Sequence, residues 1–522
     1  MKNQLFVNAD NDLFWWMYES VNGKIENFEE KIRKYVRGYA DSGITDMLYC
    51  CFMQQSIFPS KVLDWYGDKY YQKVENGVEV DYTNEPRIKH VVEMYETMDK
   101  DPFDVLIDET RKCGMKGWLS IRMNDHHYQK AQTAWIHGSM YYEGKEKGWF
   151  IGEDTGKELF TECYDFSVDE FRERMYNYVC EVLDRYDMDG LELDFMREIY
   201  CFNYLKNPEC YKIMTGFMQK VRAYLRKKEK ERGHKINLLI RLNRDPVESK
   251  LYGFNAEEYI KQDLVDIIVP TSRWFSTDTD MPIDKWKELA KGTNVQIVAG
   301  LESFLFHPVL VKEETAKGLT AQYMDAGSDG MYLYNFFRTC VQDESEAEDV
   351  CLFMYSGAME YPTTALSAKE ERELRKTWRA CSSLAEAKKG VRRHVMSYQE
   401  SHATPVGVEG YRPLPAEING EKCFTLQTGE CANDVCSLII GLKRGSDLPE
   451  VTVDGIKAKS VRNTDDAYVC DRNNSLFNSE ALVGTFYLKY NISVSQGNVR
   501  LIALKANQAT LTYLEIKVVS NG

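Results

Sequence analysis

Short apolar runs and amphipathic stretches alternate along the first two thirds of the chain. Strand-length runs fall at 5–9, 46–52, 117–123, 190–195, 237–242, 266–270, 295–301 and 330–334. Most are preceded by segments with apolar residues at helical spacing, as at 28–41, 103–113, 168–187, 210–227, 256–262, 283–291 and 313–326. Eight strand-and-helix units predict an α/β protein built on a (β/α)8 TIM barrel. A doubly wound open sheet is the alternative. It is disfavoured because the strands carry alternate polar residues rather than unbroken apolar runs, and no glycine-rich dinucleotide turn follows the first strand. Residues 365–389 are rich in Ala, Glu, Lys and Leu and read as closing helices. Beyond about residue 395 the runs are short, β-branched and separated by turn residues, as at 436–442, 451–453, 485–490, 499–504 and 511–519. This pattern predicts an all-β sandwich. The expected division is therefore a barrel over 1–364, a helical connector over 365–394 and a β-sandwich over 395–522. The connector has no Gly/Ser/Pro-rich tether, which predicts that the sandwich docks rigidly on the barrel.

Within the fourth strand, Asp189-Gly190-Leu191-Glu192-Leu193-Asp194-Phe195 places apolar and acidic residues in strict alternation. Leu191, Leu193 and Phe195 share one face, and Glu192 and Asp194 share the other. Burying two carboxylates is costly, and a site that needs them charged is a reason to keep them. Strand three alternates Arg122 and Asn124 in the same way, and strand five alternates Arg241 and Asn243. The expected stacking has Arg122, Glu192 and Arg241 in one layer, with Asn124, Asp194 and Asn243 in the layer above. In that arrangement two guanidiniums clamp Glu192, and two carboxamides orient Asp194 without neutralising it.

Composition narrows the chemistry. The chain has 522 residues and a net charge of −15, which argues against nucleic acid, whose phosphates demand basic patches. The basic run at 226–232 reads as a solvated helix face. No apolar run is long enough to span a membrane, and Met1-Lys2-Asn3-Gln4 leads straight into a strand without a signal peptide. The 14 cysteines are scattered without metal-ligand spacing, so reduced thiols and a cytoplasmic location are expected. His126-His127 has no third His or Cys at a comparable strand end, so neither a metal nor another cofactor is expected.

Active sites of such barrels lie at the C-terminal strand ends. Those ends carry carboxylates, amides and aromatics, the mixture that sugar hydroxyls and ring faces require. Asp194 on strand four faces Glu302 on strand seven, and glycoside cleavage uses two carboxyl groups astride the bond. The amides beside Asp194 suit an ionised carboxylate. Ser303 and Phe304 give Glu302 a less polar setting that suits a proton donor. Asp10, Asn124, His126 and Asn243 are candidates to hold hydroxyls, with Trp15, Trp274 and Tyr334 available for stacking. Arg197, Arg244 and Arg273 suit an anionic sugar if they converge.

The motif and the helix before it resemble the fourth strand of glycosyl-hydrolase-like family 10 barrels and their uncharacterised bacterial relatives. More distantly, Asp-Gly-x-x-x-Asp resembles the fourth-strand element of the alpha-amylase superfamily, whose last Asp is the nucleophile; it falls on Asp194. That pattern has Arg two residues earlier, where this chain has Glu192, and a Glu acid on strand five, where it has Asp245. Retaining barrels with an Asn-Glu acid on strand four have their nucleophile on strand seven, which falls on Glu302, but no Asn-Glu occurs here. The resemblances leave open which of Asp194 and Glu302 is acid and which is nucleophile. They imply a glycosidase that cleaves O-glycosidic bonds in oligosaccharides imported by a bacterium. The alternative is a carbohydrate-binding or metal-assisted, non-hydrolytic barrel.

Overall fold

The structure is a computed structural model that describes residues 3–10, 27–153, 160–272, 276–306, 309–336, 368–396, 405–408, 412–470 and 482–521. Eight parallel strands form the barrel: β1 (Gln4–Asn8), β2 (Asp46–Met53), β3 (Lys116–Arg122), β4 (Gly190–Asp194), β5 (Asn237–Asn243), β6 (Ile267–Thr271), β7 (Gln296–Glu302) and β8 (Gly330–Tyr334). Each pairs with its sequence neighbour, and β1 also pairs with β8, which closes the sheet. The helices that follow the strands are α1 (Phe28–Arg37), α2 (Pro102–Lys112), α3 (Asp169–Arg185), α4 (Tyr211–Arg232), α5 (Ala256–Lys261), α6 (Ile283–Leu289), α7 (Glu313–Asp325) and α8 (Ala368–Cys381). All eight strands lie where the hydrophobic pattern puts them. No helix among the described residues is long and apolar enough to cross a membrane.

The alternation in the strands becomes two cores. Leu5, Val7, Leu119, Ile121, Leu191, Leu193, Ile240 and Leu333 face outward under the helices. Phe6, Leu48, Trp118, Leu239, Ile267, Val298 and Tyr332 fill the lumen. Helix α1 shows how the outer layer assembles. Asn27 caps it by accepting the Glu30 N–H at 3.0 Å, and Phe28, Ile32, Tyr35 and Val36 form its buried face. Gly190 has a lumenal reason: a Cβ there would run into the indole of Trp118, whose Nε1 donates to Asp46 at 2.9 Å. The Asp-Gly of the motif thus makes room for the largest side chain in the lumen.

The C-terminal module is an antiparallel β-sandwich of β9 (Val391–Val395), β10 (Ala416–Gln427), β11 (Val435–Lys443), β12 (Glu450–Val453), β13 (Lys459–Asn463), β14 (Thr485–Ile492) and β15 (Val499–Val519). Strand β15 is 21 residues long. Its first half pairs with β10 and β12, and its second half with β9 and β11. Connector helix α8 is tied to the barrel: Trp378 Nε1 donates to the Phe336 carbonyl at 2.9 Å, and Arg375 reaches the carbonyls of Gly38 and Ala40.

The sandwich docks on α7. The Tyr468 hydroxyl accepts the Lys312 N–H at 2.9 Å and lies 3.0 Å from the Thr315 hydroxyl. Arg393 pairs with Glu314 on the barrel and with Asp466 and Glu515 of its own module. At the closest approach Gly318 abuts the Arg393 main chain, and a Cβ there would strike the carbonyl oxygen. Gly318→Ala is therefore expected to cost about 1–3 kcal/mol through overpacking and to lower Tm. An unchanged Tm would mean that this contact does not hold the modules together.

Candidate active site

Adjacent parallel strands place Arg122, Asp194 and Arg241 at one level. This corrects the expected stacking. Glu192 lies one layer lower, level with Ser120 and Leu239, and is not clamped by guanidiniums. The error is a two-residue stagger. Alternation assigns a face, but a shift of two residues preserves the face and changes every neighbour.

Asp194 is the carboxylate that meets an arginine. Its Oδ2 lies 2.8 Å from Arg241 Nη1, and its Oδ1 accepts the N–H groups of Met196 at 2.9 Å and Arg197 at 3.1 Å. The Arg241 guanidinium lies 4.0 Å from the Tyr334 ring centre and 5.2 Å from that of Tyr332. Both members of the ion pair are buried. Glu192, below, accepts from Asn8 Nδ2 at 2.9 Å and from the Tyr332 hydroxyl at 2.6 Å. Burial, reinforced by the charge of Asp194, raises its pKa.

The carboxamides expected beside Asp194 are engaged elsewhere. Asn124 Nδ2 donates to the carbonyls of Tyr164 and Tyr200 at 2.9 and 3.0 Å, and its Oδ1 accepts the Tyr164 N–H. It staples two loops together. Asn243 is buried at the end of β5, where its Oδ1 accepts the Asp245 N–H at 3.3 Å. Asp245 caps the helix Pro246–Leu251 and pairs with Lys285 at 2.8 Å.

Glu302, at the end of β7, is held by neutral donors. Its Oε1 accepts the Ser303 N–H at 2.8 Å and the Ser303 hydroxyl at 3.0 Å, and Asn335 Nδ2 reaches both oxygens at 2.9 and 3.1 Å. Asn335 has φ +63°, the left-handed region that Asn tolerates. Burial raises the Glu302 pKa despite these donors and the charge of Arg241. Arg241 thus acts electrostatically on both carboxyl groups.

A second cluster, centred on Arg122, was missed by sequence reasoning. Arg122 pairs with Asp10 at 2.5 Å and with Asp125 at 3.1 Å, and donates to the Tyr334 hydroxyl at 3.0 Å. His127 Nδ1 lies 2.8 Å from Asp125, and its Nε2 lies 2.6 Å from Arg197 Nη2. Arginine only donates, so Nε2 is the acceptor and the proton of the neutral ring sits on Nδ1. Burial would raise Asp125, but His127, Arg197 and Arg122 pull it well below the ordinary carboxylate range. Arg197 also lies 3.6 Å from Glu198. The available signal was Arg122 itself, since a lumenal cation demands nearby acids, and Asp10 and Asp125 flank it at strand ends.

His126 does not join that cluster. It packs among Tyr141, Phe150 and Tyr164 at centroid distances of 6.1, 5.7 and 5.1 Å. Both ring nitrogens lack hydrogen bonds, and burial lowers its pKa to about 3. It is a neutral packing residue here rather than a hydroxyl ligand. Arg197 and Arg244 do not converge on an anionic pocket, because Arg244 is occupied by Asp278 and the Asp280 carbonyl. Trp15, Arg273 and Trp274 lie outside the described residues. Among the described residues no group of three or more His, Cys, Asp or Glu is placed to hold a metal.

Neither a family model nor a curated protein matches the sequence. Solved structures match at low similarity. An endo-beta-1,4-mannanase from Thermotoga petrophila is 11% identical with TM-score 0.43, covering 98% of this chain and 97% of its own. A cycloisomaltooligosaccharide glucanotransferase from Paenibacillus sp. is 10% identical with TM-score 0.34, covering 98% of this chain and 57% of its own. A GH36 alpha-galactosidase from Geobacillus stearothermophilus is 12% identical with TM-score 0.34, covering 97% and 55%. The chain thus spans little more than half the length of the last two.

Two outcomes test the lumen. Arg241→Met leaves the buried Asp194 charge uncompensated and is expected to cost on the order of 3–5 kcal/mol in denaturant unfolding. Arg241→Met combined with Asp194→Leu should recover most of that loss. If the double variant is no more stable than the single, the pair is not what Arg241 stabilises. Glu192 tests the sign of the pH dependence. Its folded pKa lies above the unfolded value of 4.5, so its contribution is full below that value and is lost as pH rises through the folded pKa. Glu192→Gln removes that loss, so the Tm difference should move in favour of the variant as pH rises from about 4.5. A pH-independent difference would contradict the raised pKa.

Proposed function

We propose that the protein is a glycoside hydrolase that cleaves O-glycosidic bonds in oligosaccharides, with Asp194 and Glu302 as its carboxyl pair. One observation carries the reading: two buried carboxyl groups at the ends of β4 and β7 sit in opposite electrostatic settings around one arginine. Asp194 is ion-paired and accepts two main-chain N–H groups. Glu302 has neutral hydrogen-bond donors and a raised pKa. Paired titratable groups in opposed environments divide acid and base roles.

In this mechanism Glu302 protonates the leaving glycosidic oxygen. Asp194, ion-paired with Arg241, stabilises or captures the positive charge that develops at the sugar carbon. Arg241 stacks on Tyr334, and Arg122 holds the Tyr334 hydroxyl, so the aromatic ring and the Asp194 carboxylate are positioned together. A cytoplasmic setting belongs to the same proposal. The twelve cysteines among the described residues are free thiols, which suit a reducing compartment.

Asp194→Asn should abolish turnover while leaving sugar binding nearly intact, because the lost charge acts in the transition state. Glu302→Gln should slow glycosides with poor leaving groups by about 10²–10⁴-fold and activated aryl glycosides much less. Because the acid must be protonated, activity should fall as pH rises through its raised pKa, and Glu302→Gln should flatten that alkaline limb. A panel of nitrophenyl glycosides and oligosaccharides measures all three. Retained turnover in Asp194→Asn on an oligosaccharide would end the assignment.

A further inference from the structure

The turn between β10 and β11 carries two thiols beside two buried guanidiniums. Cys431 sits in the turn and Cys436 is the second residue of β11. Both residues are buried beside the exposed Glu430 and Asn433. The Thr428 hydroxyl lies 3.5 Å from Cys431 Sγ, and Cys436 Sγ lies 3.7 Å from the Cys431 carbonyl. Arg392 from β9 and Arg500 from β15 are 1% and 0% exposed, and the positive charge of each acts on Cys431.

These arginines are incompletely satisfied. Arg392 uses Nη2 on Asp434, at 3.0 Å, and on the Glu430 carbonyl, at 3.2 Å, while its Nε and Nη1 are buried without a hydrogen-bond partner. Arg500 uses its two Nη atoms on Asp454, the Ser495 carbonyl and the Gly497 carbonyl, and its buried Nε has none. His394, buried on β9 and kept neutral by burial and the charge of Arg392, supplies no anion. A buried guanidinium left short of partners is expensive. A thiolate on Cys431 answers that charge. The Cys436 S–H bond, the Thr428 hydroxyl and the two arginines together lower the Cys431 pKa, while Cys436 is held as the thiol.

We propose that Cys431 and Cys436 form a reversible redox dithiol that a peroxide oxidises to a disulfide across the β10–β11 turn. The Cys431 thiolate attacks one peroxide oxygen and breaks the O–O bond. Sulfur is oxidised to a sulfenic acid, and the departing hydroxide takes up a proton to become water. The Cys436 thiol then attacks the Cys431 sulfur, an S–S bond replaces the S–O bond, and the thiol proton leaves with the hydroxyl group as a second water. The disulfide removes the negative charge that faces Arg392 and Arg500. The reduced form is therefore favoured electrostatically, and the bond is readily reduced again. The same turn touches the barrel: Gln427 Nε2 donates to Asp280 at 2.9 Å, and the Glu430 N–H donates to Asp325 at 3.2 Å.

The test uses the full chain and hydrogen peroxide, read by isotope-coded alkylation and peptide mass spectrometry. The expected result is a Cys431–Cys436 disulfide that forms before the exposed Cys423 is modified and that dithiothreitol reverses. Alkylation of reduced Cys431 should reach its plateau well below the usual thiol pKa near 8.5. Cys436→Ser should leave Cys431 as a sulfenic acid that dimedone traps, and Arg392→Met should slow Cys431 oxidation at pH 7 several-fold. Separate, alkylatable Cys431 and Cys436 after peroxide treatment, or oxidation of Cys431 no faster than that of Cys423, would overturn the proposal.

Discussion

The ion pair between Asp194 and Arg241 is the constraint on which the upper lumen depends. Below it the barrel is filled by Phe6, Leu48, Trp118, Leu239 and Val298 around the hydrogen-bonded Glu192, a dry lumen in which an unpaired charge is expensive. The carboxylate at the end of β4 therefore needs a cation from a neighbouring strand at the same level, and the β4–β5 register supplies it. Once Arg241 is committed to Asp194, its planar face is left for Tyr334 and Tyr332. Arg122, at the same level on β3, is free to serve Asp10 and Asp125 instead. One pairing thus decides the partners of three strands.

The same pairing explains why Glu192 favours its proton. Glu192 lies beneath Asp194 without an arginine of its own, and the Asp194 charge above it adds to burial in favouring the proton. Glu302 lies across the lumen with serine and asparagine donors, and burial again outweighs them. Three buried carboxyl groups feel the charge of one guanidinium, which contacts only Asp194. Asymmetry of this kind follows from geometry more than from residue type, since Asp and Glu differ little in intrinsic acidity.

Much of the frame was legible in the sequence. The eight strands and their inward and outward faces follow from period-2 alternation, which burial enforces residue by residue. Gly190 was legible as part of a motif but not as the space for Trp118. The stagger between strands was not legible, because a shift of two residues leaves every face unchanged. That shift moved the arginine partner from Glu192 to Asp194 and took Asn124 away from the site. His126 misled for a different reason. Its position beyond a strand end matches that of a ligand, and only the rings of Tyr141, Phe150 and Tyr164, brought in from loops and a helix far along the chain, make it a packing residue. The Arg122 cluster is equally non-local, since Asp10 and Asp125 come from different strand ends and converge only when the barrel closes.

The junction between the modules follows the same rule as the lumen: buried charge is placed where partners from distant segments meet. Arg393 on β9 binds Glu314 of the barrel helix and Glu515 of the last strand at once, so docking and sandwich closure share one side chain. At the other end of the interface, Gln427 holds Asp280, whose carbonyl also accepts from Arg244 at the end of β5. Arg244 in turn pairs with Asp278. The β10–β11 turn, with its thiols and incompletely partnered arginines, is therefore two polar contacts from a barrel strand end. Through Gln427 and Asp280 the sandwich is hydrogen-bonded to Arg244, the residue that follows β5.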